Sequence, residues 1–285
     1  MRAGVRAARF LPTFWPRSFA YANLRNHRKL LIVDGRIGFT GGMNITDECW
    51  LSLHPCYVMH DVQFRIDGPV VACMQDVFVE DWKFTTGESL NDERWFPKLE
   101  VRGTMLARGV SSGPDEDHEK LRLVLLGALS SARTRVVIVT PYFLPDPDLV
   151  SALNIAALRG VQVDILLPRE GDLRLVHWAA AAQLAQVLEY GCRAWHIPGP
   201  VMHTKLMLVD GIWTLLGSAN WDARSLRLNF EFNIECYDRT LAGALECRLE
   251  TLIAQAERMT LTKLQRRPFL IKLRDGMARL LMPYL

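Results

Sequence analysis

The sequence lacks most of the features that would take it out of the globular classes. No apolar run approaches the roughly 18 residues that a membrane-spanning helix needs, because Arg133 and Arg135 interrupt the longest candidate, around 121–144. The N-terminus lacks the charged, apolar and small-residue order of a secretory signal. Contact with a membrane is therefore expected from the side. The six cysteines (Cys49, Cys56, Cys73, Cys192, Cys236, Cys247) include no C-x2-C pair and no histidine at zinc-site spacing. That pattern fits reduced thiols in a cytoplasmic protein. No carboxylate cluster stands out as a divalent-metal site. Acid is also scarce at both ends: residues 1–29 carry seven Lys or Arg and no acid, and residues 258–285 carry seven and one. The rest holds 20 basic against 30 acidic residues. Positive ends around an acidic middle point either to an anionic surface as partner or simply to solvated termini. They point away from nucleic acid, which calls for a basic groove.

The chain does hold a repeat. His27, Lys29, Asp34, Gly35, Gly41 and Asn44 recur 176 positions later as His203, Lys205, Asp210, Gly211, Gly217 and Asn220, without a gap. A shared H-x-K-x4-D-G-x5-G-x2-N order implies two copies of one structural unit. At 285 residues the chain can give each copy its own core.

Around each copy, apolar residues without a helical period read as a strand running into a turn. Positions i and i+2 share a strand face, so His27 projects with Lys29 and His203 with Lys205. Asp34 and Asp210, seven positions past each histidine, fall on the opposite face or in the Asp-Gly turn, itself a strong hairpin signal. Facing each other across a pseudo-two-fold axis, the copies assemble two His, two Lys and two Asn. That set suits phosphoryl transfer, in which one imidazole attacks phosphorus while the other protonates the leaving alkoxide. Lys29, Lys205, Asn44 and Asn220 would donate to the non-bridging oxygens, and neither a metal nor a cofactor is then required. Asp61 and Glu231 open two alternating strands and are the candidates to hold each imidazole in one tautomer.

The remaining chain reads as alternating elements. Helices are expected around 69–84, 116–132, 147–159, 173–190 and 240–257, with strands at 136–140 and 161–167. Residues 4–10 alternate like a strand, 10–21 form an aromatic, proline-punctuated loop that could hold apolar chains or pack on the core, and 85–118 read as a connection. From Phe269 onward, Phe269, Leu270, Leu273, Met277, Leu280 and Leu281 follow helical spacing with Lys272, Arg274 and Arg279 elsewhere on the circle. This suits either an interfacial helix or a packed terminal one. The second motif is preceded by about 60 more residues of its repeat than the first. The first repeat is accordingly expected to be truncated, the chain being the C-terminal part of a longer protein or starting late.

These paired motifs, with the trailing Gly41-Gly42-Met43-Asn44 and Gly217-Ser218-Ala219-Asn220 segments, resemble the paired HKD motifs of the phospholipase D superfamily. The run from Asn26 to Ile45, the segment Thr140-Pro-Tyr-Phe-Leu-Pro-Asp146 and the basic tail look like bacterial cardiolipin synthases. The resemblance implies a mixed α/β fold, each repeat a mixed β-sheet flanked by helices. It implies His27, Lys29, Asp34, His203, Lys205 and Asp210 as the catalytic motif set, with Asn44, Asn220, Ser218, Asp61 and Glu231 binding phosphate or orienting. It further implies a phosphatidyl-histidine intermediate, formed from one phosphatidylglycerol with loss of glycerol and resolved by a second to give cardiolipin. In the family His27 would be the nucleophile and His203 the acid/base. The expected place is the bacterial inner membrane, peripheral on its cytoplasmic side. Expected boundaries are 1–108 for the first repeat, 109–257 for the second and 258–285 for the tail. A phospholipase D-type hydrolase, a nuclease, and an inactive lipid-binding remnant are the alternatives.

Overall fold

A computed structural model describes residues 4–12, 24–50, 52, 58–115, 117–171 and 173–280. The first part of the chain supplies β1 (Arg25–Asn26), β2 (Leu30–Val33), β3 (Ile37–Gly41), β4 (Met59–His60), β5 (Gln63–Asp67), α1 (Val70–Thr86) and β6 (Leu106–Ser112). Then come α2 (Lys120–Ser131), β7 (Arg135–Val139), β8 (Phe143–Leu144), α3 (Pro147–Leu158), β9 (Gln162–Pro168), α4 (Arg174–Leu188) and β10 (Arg193–Ile197). The second motif lies among β11 (Val201–Met202), β12 (Leu206–Val209), β13 (Trp213–Gly217), β14 (Trp221–Asp222), α5 (Ala223–Arg227) and β15 (Asn229–Tyr237). The chain closes with α6 (Arg239–Gln255), β16 (Glu257–Met259), α7 (Leu261–Gln265) and α8 (Phe269–Leu280).

A mixed nine-stranded sheet, in the order β1-β15-β13-β12-β7-β9-β10-β16 with β6 also on β15, forms the body. Its central strands are covered on both faces, so they read as near-continuous apolar runs. Val136 and Ile138 face a core built with α2, α3 and α4, while Val137 and Val139 face a second core shared with α1 and α6. The smaller antiparallel sheet β2-β3-β5 packs with α1 onto that second core. In each half an Asp-Gly pair turns the hairpin after the motif. Asp34 and Gly35 take φ of 54° and 62°, Asp210 and Gly211 53° and 63°. Two successive left-handed residues are what a tight two-residue hairpin demands, and the closing bonds Arg36 N to Val33 O and Ile212 N to Val209 O are 3.0 and 3.1 Å.

The two hairpins differ in shelter. Met207 and Val209 are buried, whereas their counterparts Leu31 and Val33 are 57% and 40% exposed. β12 is flanked by β7 and β13, but among the described residues β2 pairs only with β3.

Several sequence expectations need correction. Residues 4–10 alternate but form no strand: they are exposed, apart from Phe10, and no neighbouring strand pairs with them among the described residues. Their sequence counterpart becomes β10 because β9 and β16 flank it. The supposed connection at 85–118 contains β6, paired with β15 from Leu106↔Tyr237 to Ser112↔Glu231. Most of the aromatic loop and Cys56 lie outside the described residues, and the other five cysteines are unpaired. No helix among the described residues is long and apolar enough to cross a membrane.

Candidate active site

His27 and His203 are not strand residues. Each sits in a short link between strands, His27 after β1 and His203 after β11. These preceding strands are two-residue parallel bridges into the opposite half: β1 pairs with the start of β15 (Asn26↔Phe230), and β11 pairs with β4 (Met202↔His60). Each ladder ends on a bond from the histidine itself, His27 N to Phe230 O at 2.9 Å and His203 N to His60 O at 2.7 Å. The next residue along the partner segment is a carboxylate, Glu231 in one case and Asp61 in the other. Backbone register alone therefore delivers each imidazole to an acid of the other half.

The His27 side is fully built. Its Nδ1 lies 2.9 and 3.0 Å from the two oxygens of Glu231, which is completely buried. Ser218 Oγ donates to Glu231 Oε2 at 2.5 Å, and Asn229 Nδ2 donates to Oε1 at 3.1 Å. A carboxylate anchored this way holds Nδ1 as the protonated nitrogen and leaves Nε2 as the lone-pair nitrogen. The His203 side is tighter. Its Nδ1 meets Gly42 O at 3.1 Å, Asp61 Oδ2 at 3.2 Å and Lys205 Nζ at 2.9 Å. Gly42 occupies the position of Ser218 in the repeat, and a Cβ there would come within 2.5 Å of Asp61 Oδ2 and 2.7 Å of His203 O. Only a residue without a side chain fits this approach.

Both lysines turn back onto their histidines: Lys29 Nζ donates to His27 O at 2.9 Å, and Lys205 Nζ to His203 O. Lys29 is attracted by both Glu231 and Asp61. Burial lowers its pKa, with the two carboxylates acting in the opposite direction. Burial likewise lowers the pKa of His203, opposed by its bond to Asp61 and reinforced by Lys205. This imidazole is therefore neutral near pH 7, with the uncharged form favoured by desolvation.

Of the residues expected at the site, the structure brings His27 together with Lys29, Glu231 and Ser218, and His203 together with Lys205 and Asp61. Asn220 is buried with its Oδ1 unpartnered, and Asn44 is half-buried in the loop after Gly42. Asp34 and Asp210, counted with the catalytic set, stand apart at the far ends of their strands. Four strand residues separate Lys205 from Asp210, a span of about 15 Å at the usual strand rise. Asp210 accepts from the backbone N–H groups of Arg133, Thr134 and Arg135 and from Thr134 Oγ1, all at 2.8–2.9 Å. Asp34 is exposed at its turn. Both sit in the left-handed Asp-Gly turns; the strand-parity argument does not account for this, because His27 and His203 lie outside the strands.

Three residues were not anticipated. Asn229 supports Glu231 from two positions away on the same strand face. Tyr142 stands edge-on to His203 with ring centres 6.5 Å apart. Arg28, buried between the motif's His and Lys, reaches Asp81 at 2.6 Å, Ser111 Oγ at 2.8 Å and Glu231 O at 3.4 Å, over the Phe230 ring. It ties the His27 link to α1, β6 and β15 together. Its only sequence signal is a cation inside a motif otherwise flanked by apolar residues. Among the described residues, no group of three or more His, Cys, Asp or Glu converges as a metal-binding set.

Each of the two imidazoles is backed by a buried carboxylate from the other half. Residues 125–253 match the family described as cardiolipin synthase, PLD-like domain. The chain is 35% identical over 284 residues to cardiolipin synthase 2 of Staphylococcus epidermidis, covering 99% of this chain and 58% of that protein. It is 38% identical over 269 residues to cardiolipin synthase A of Pseudomonas putida, covering 92% and 54%. It thus spans a little over half the length of these curated relatives. The solved structure of phosphatidylserine synthase from Haemophilus influenzae shares the fold, with a TM-score of 0.69 at 17% identity over 91% of this chain and 71% of that one.

Proposed function

We propose that the chain carries the catalytic centre of a phosphatidyltransferase of the cardiolipin synthase type. The observation that supports this best is the crossed pairing of His27 with Glu231 and His203 with Asp61. In the first step an imidazole Nε2 attacks the phosphorus of phosphatidylglycerol. The bond to the glycerol oxygen breaks, and the other imidazole protonates the departing alkoxide. In the second step a hydroxyl of another phosphatidylglycerol gives its proton to that imidazole and attacks phosphorus, breaking the N–P bond and forming cardiolipin. Lys29, Lys205, Asn44 and Asn220 supply donors where charge gathers on the non-bridging oxygens, and Ser218 and Asn229 fix Glu231. The two halves, 1–108 and 109–257, each supply one imidazole and the carboxylate for the other. The substrate is presented by an anionic lipid surface, on the cytoplasmic side of a bacterial inner membrane, with nucleic acid excluded.

The resemblance to the family implies His27 as the nucleophile. The lowered pKa of His203 favours the converse, because a neutral, buried imidazole is ready to attack. Trapping the phosphatidyl adduct from labelled phosphatidylglycerol and locating it by peptide mass spectrometry decides between them. His27→Ala and His203→Ala should each abolish transfer, since the cycle needs both groups. Substantial cardiolipin formation by either variant would sink the mechanism. Resolution by water rather than by an alcohol would make the enzyme a hydrolase, reported by phosphatidic acid as product.

A further inference from the structure

Helix α8 is built inside out. At about 100° per residue, Phe269, Leu270, Leu273, Met277 and Leu280 fall within one arc of roughly 100°. All five are exposed: 72%, 75%, 49%, 61% and 79% respectively. The opposite arc, which packs on α4, carries Asp275 and Ala278, and these are the residues α8 buries. Asp275 is the single acid of the tail, and it is neutralised in place by Arg267 at 2.8 Å and Arg274 at 2.7 Å. The polar contact thus points inward and the large apolar side chains point out. Lys272 and Arg279 flank the apolar arc on one side and Arg274 on the other. A terminal helix that merely completed the fold would turn its Phe and Leu residues toward α4.

We infer that α8 is the docking element for an anionic lipid bilayer, its apolar arc entering the acyl-chain boundary and Lys272 and Arg279 meeting the headgroups. A basic-flanked apolar face on a helix with little net hydrophobicity is the pattern of interfacial binding. A second copy of this chain fits poorly, because two such faces would bring like-charged flanks together. Arg267, just before α8, lines a cavity of about 150 Å³ with Leu173, Val176, His177 and Tyr142, and Tyr142 is the ring set against His203. This deepens the proposed function and rests on its lipid substrate, but binding is measurable without turnover.

The test is co-sedimentation of the full chain with vesicles of phosphatidylcholine alone and of equimolar phosphatidylcholine and phosphatidylglycerol. Wild type and His203→Ala should both bind the anionic vesicles, and Leu270→Glu/Met277→Glu should bind at least about tenfold more weakly. A Met277→Trp chain, which keeps the apolar face, should be quenched by brominated acyl chains. Equal binding by the double-Glu variant, an unquenched tryptophan, or a solution dimer that the double-Glu variant converts to monomer would overturn the assignment. Vesicle binding without any product would leave α8 standing and overturn the catalytic reading. Turnover in detergent without vesicle binding would do the reverse.

Discussion

Glu231→Gln is the most informative single change. The carboxylate faces three donors: His27 Nδ1, Ser218 Oγ and Asn229 Nδ2. In glutamine one oxygen becomes an NH2 group, and the better orientation points it at Ser218, whose hydroxyl can rotate to accept. The amide oxygen then still faces His27, so the geometry survives while the negative charge is lost. A charge-assisted bond is roughly twice as strong as a neutral one, and bonds to charged groups contribute about 1.5–3 kcal/mol. The imidazolium that forms during transfer loses about that much stabilisation, or about 10- to 100-fold in kcat, and more if the ring samples the wrong tautomer. Folding should change by no more than about 1.5 kcal/mol, because removing a fully buried charge relieves a desolvation penalty that offsets the weaker bonds. The assay is cardiolipin formation in mixed micelles, with thermal unfolding measured in parallel. A folded Glu231→Gln protein with kcat within threefold of wild type would refute the orienting role.

Asp210→Asn should cost about 2 kcal/mol of stability, since its carboxylate accepts four bonds from residues 133–135. Activity per folded molecule should stay near wild type, and a stable but inactive protein would return Asp210 to the chemistry. Gly42→Ala should lower kcat by about 100-fold or more, because the new methyl must displace Asp61 Oδ2 or the His203 backbone; unchanged kinetics would show that the loop yields freely. His196 carries the pH prediction: burial, and then the nearby His177, push its pKa down to about 4. The unfolded chain binds that proton at about 6.5 and the folded chain does not, so stability is full above pH 6.5 and falls between 6.5 and 4. The loss is about 3 kcal/mol at most. Urea unfolding from pH 7.5 to 4.5 should show a shallower acid slope for His196→Gln; an identical slope would refute the assignment.

How much of this was legible in the sequence follows from the range of each interaction. The 176-residue repeat and the Asp-Gly turns depend on local chemistry, so they were plain before any fold was known. Parity was counted from histidines that lie outside the strands, so the separation of Asp34 and Asp210 from the imidazoles rests on the length of the strand between them. The crossed pairing was not legible, because it depends on two-residue parallel bridges between segments about 200 and 140 positions apart. Periodicity carries no signal for contacts that short and that remote. β6 was missed because Leu-Ala-Arg-Gly-Val-Ser-Ser offers few strong strand formers and gains its ladder from β15. Residues 4–10 show the converse, since alternation without a neighbouring strand yields no ladder. The helical spacing of α8 was readable. Which of its faces looked outward was a tertiary fact, set by Asp275 and its two arginines.

The central claim is that two half-sites, each completing the other, pass a phosphatidyl group from one lipid to another. Incubation of the chain with labelled phosphatidylglycerol, followed by mass spectrometry of the lipid products, tests it most directly. The account predicts labelled cardiolipin with one glycerol released per molecule formed. Phosphatidic acid as the only product, or no turnover by a folded, vesicle-bound chain, would contradict it.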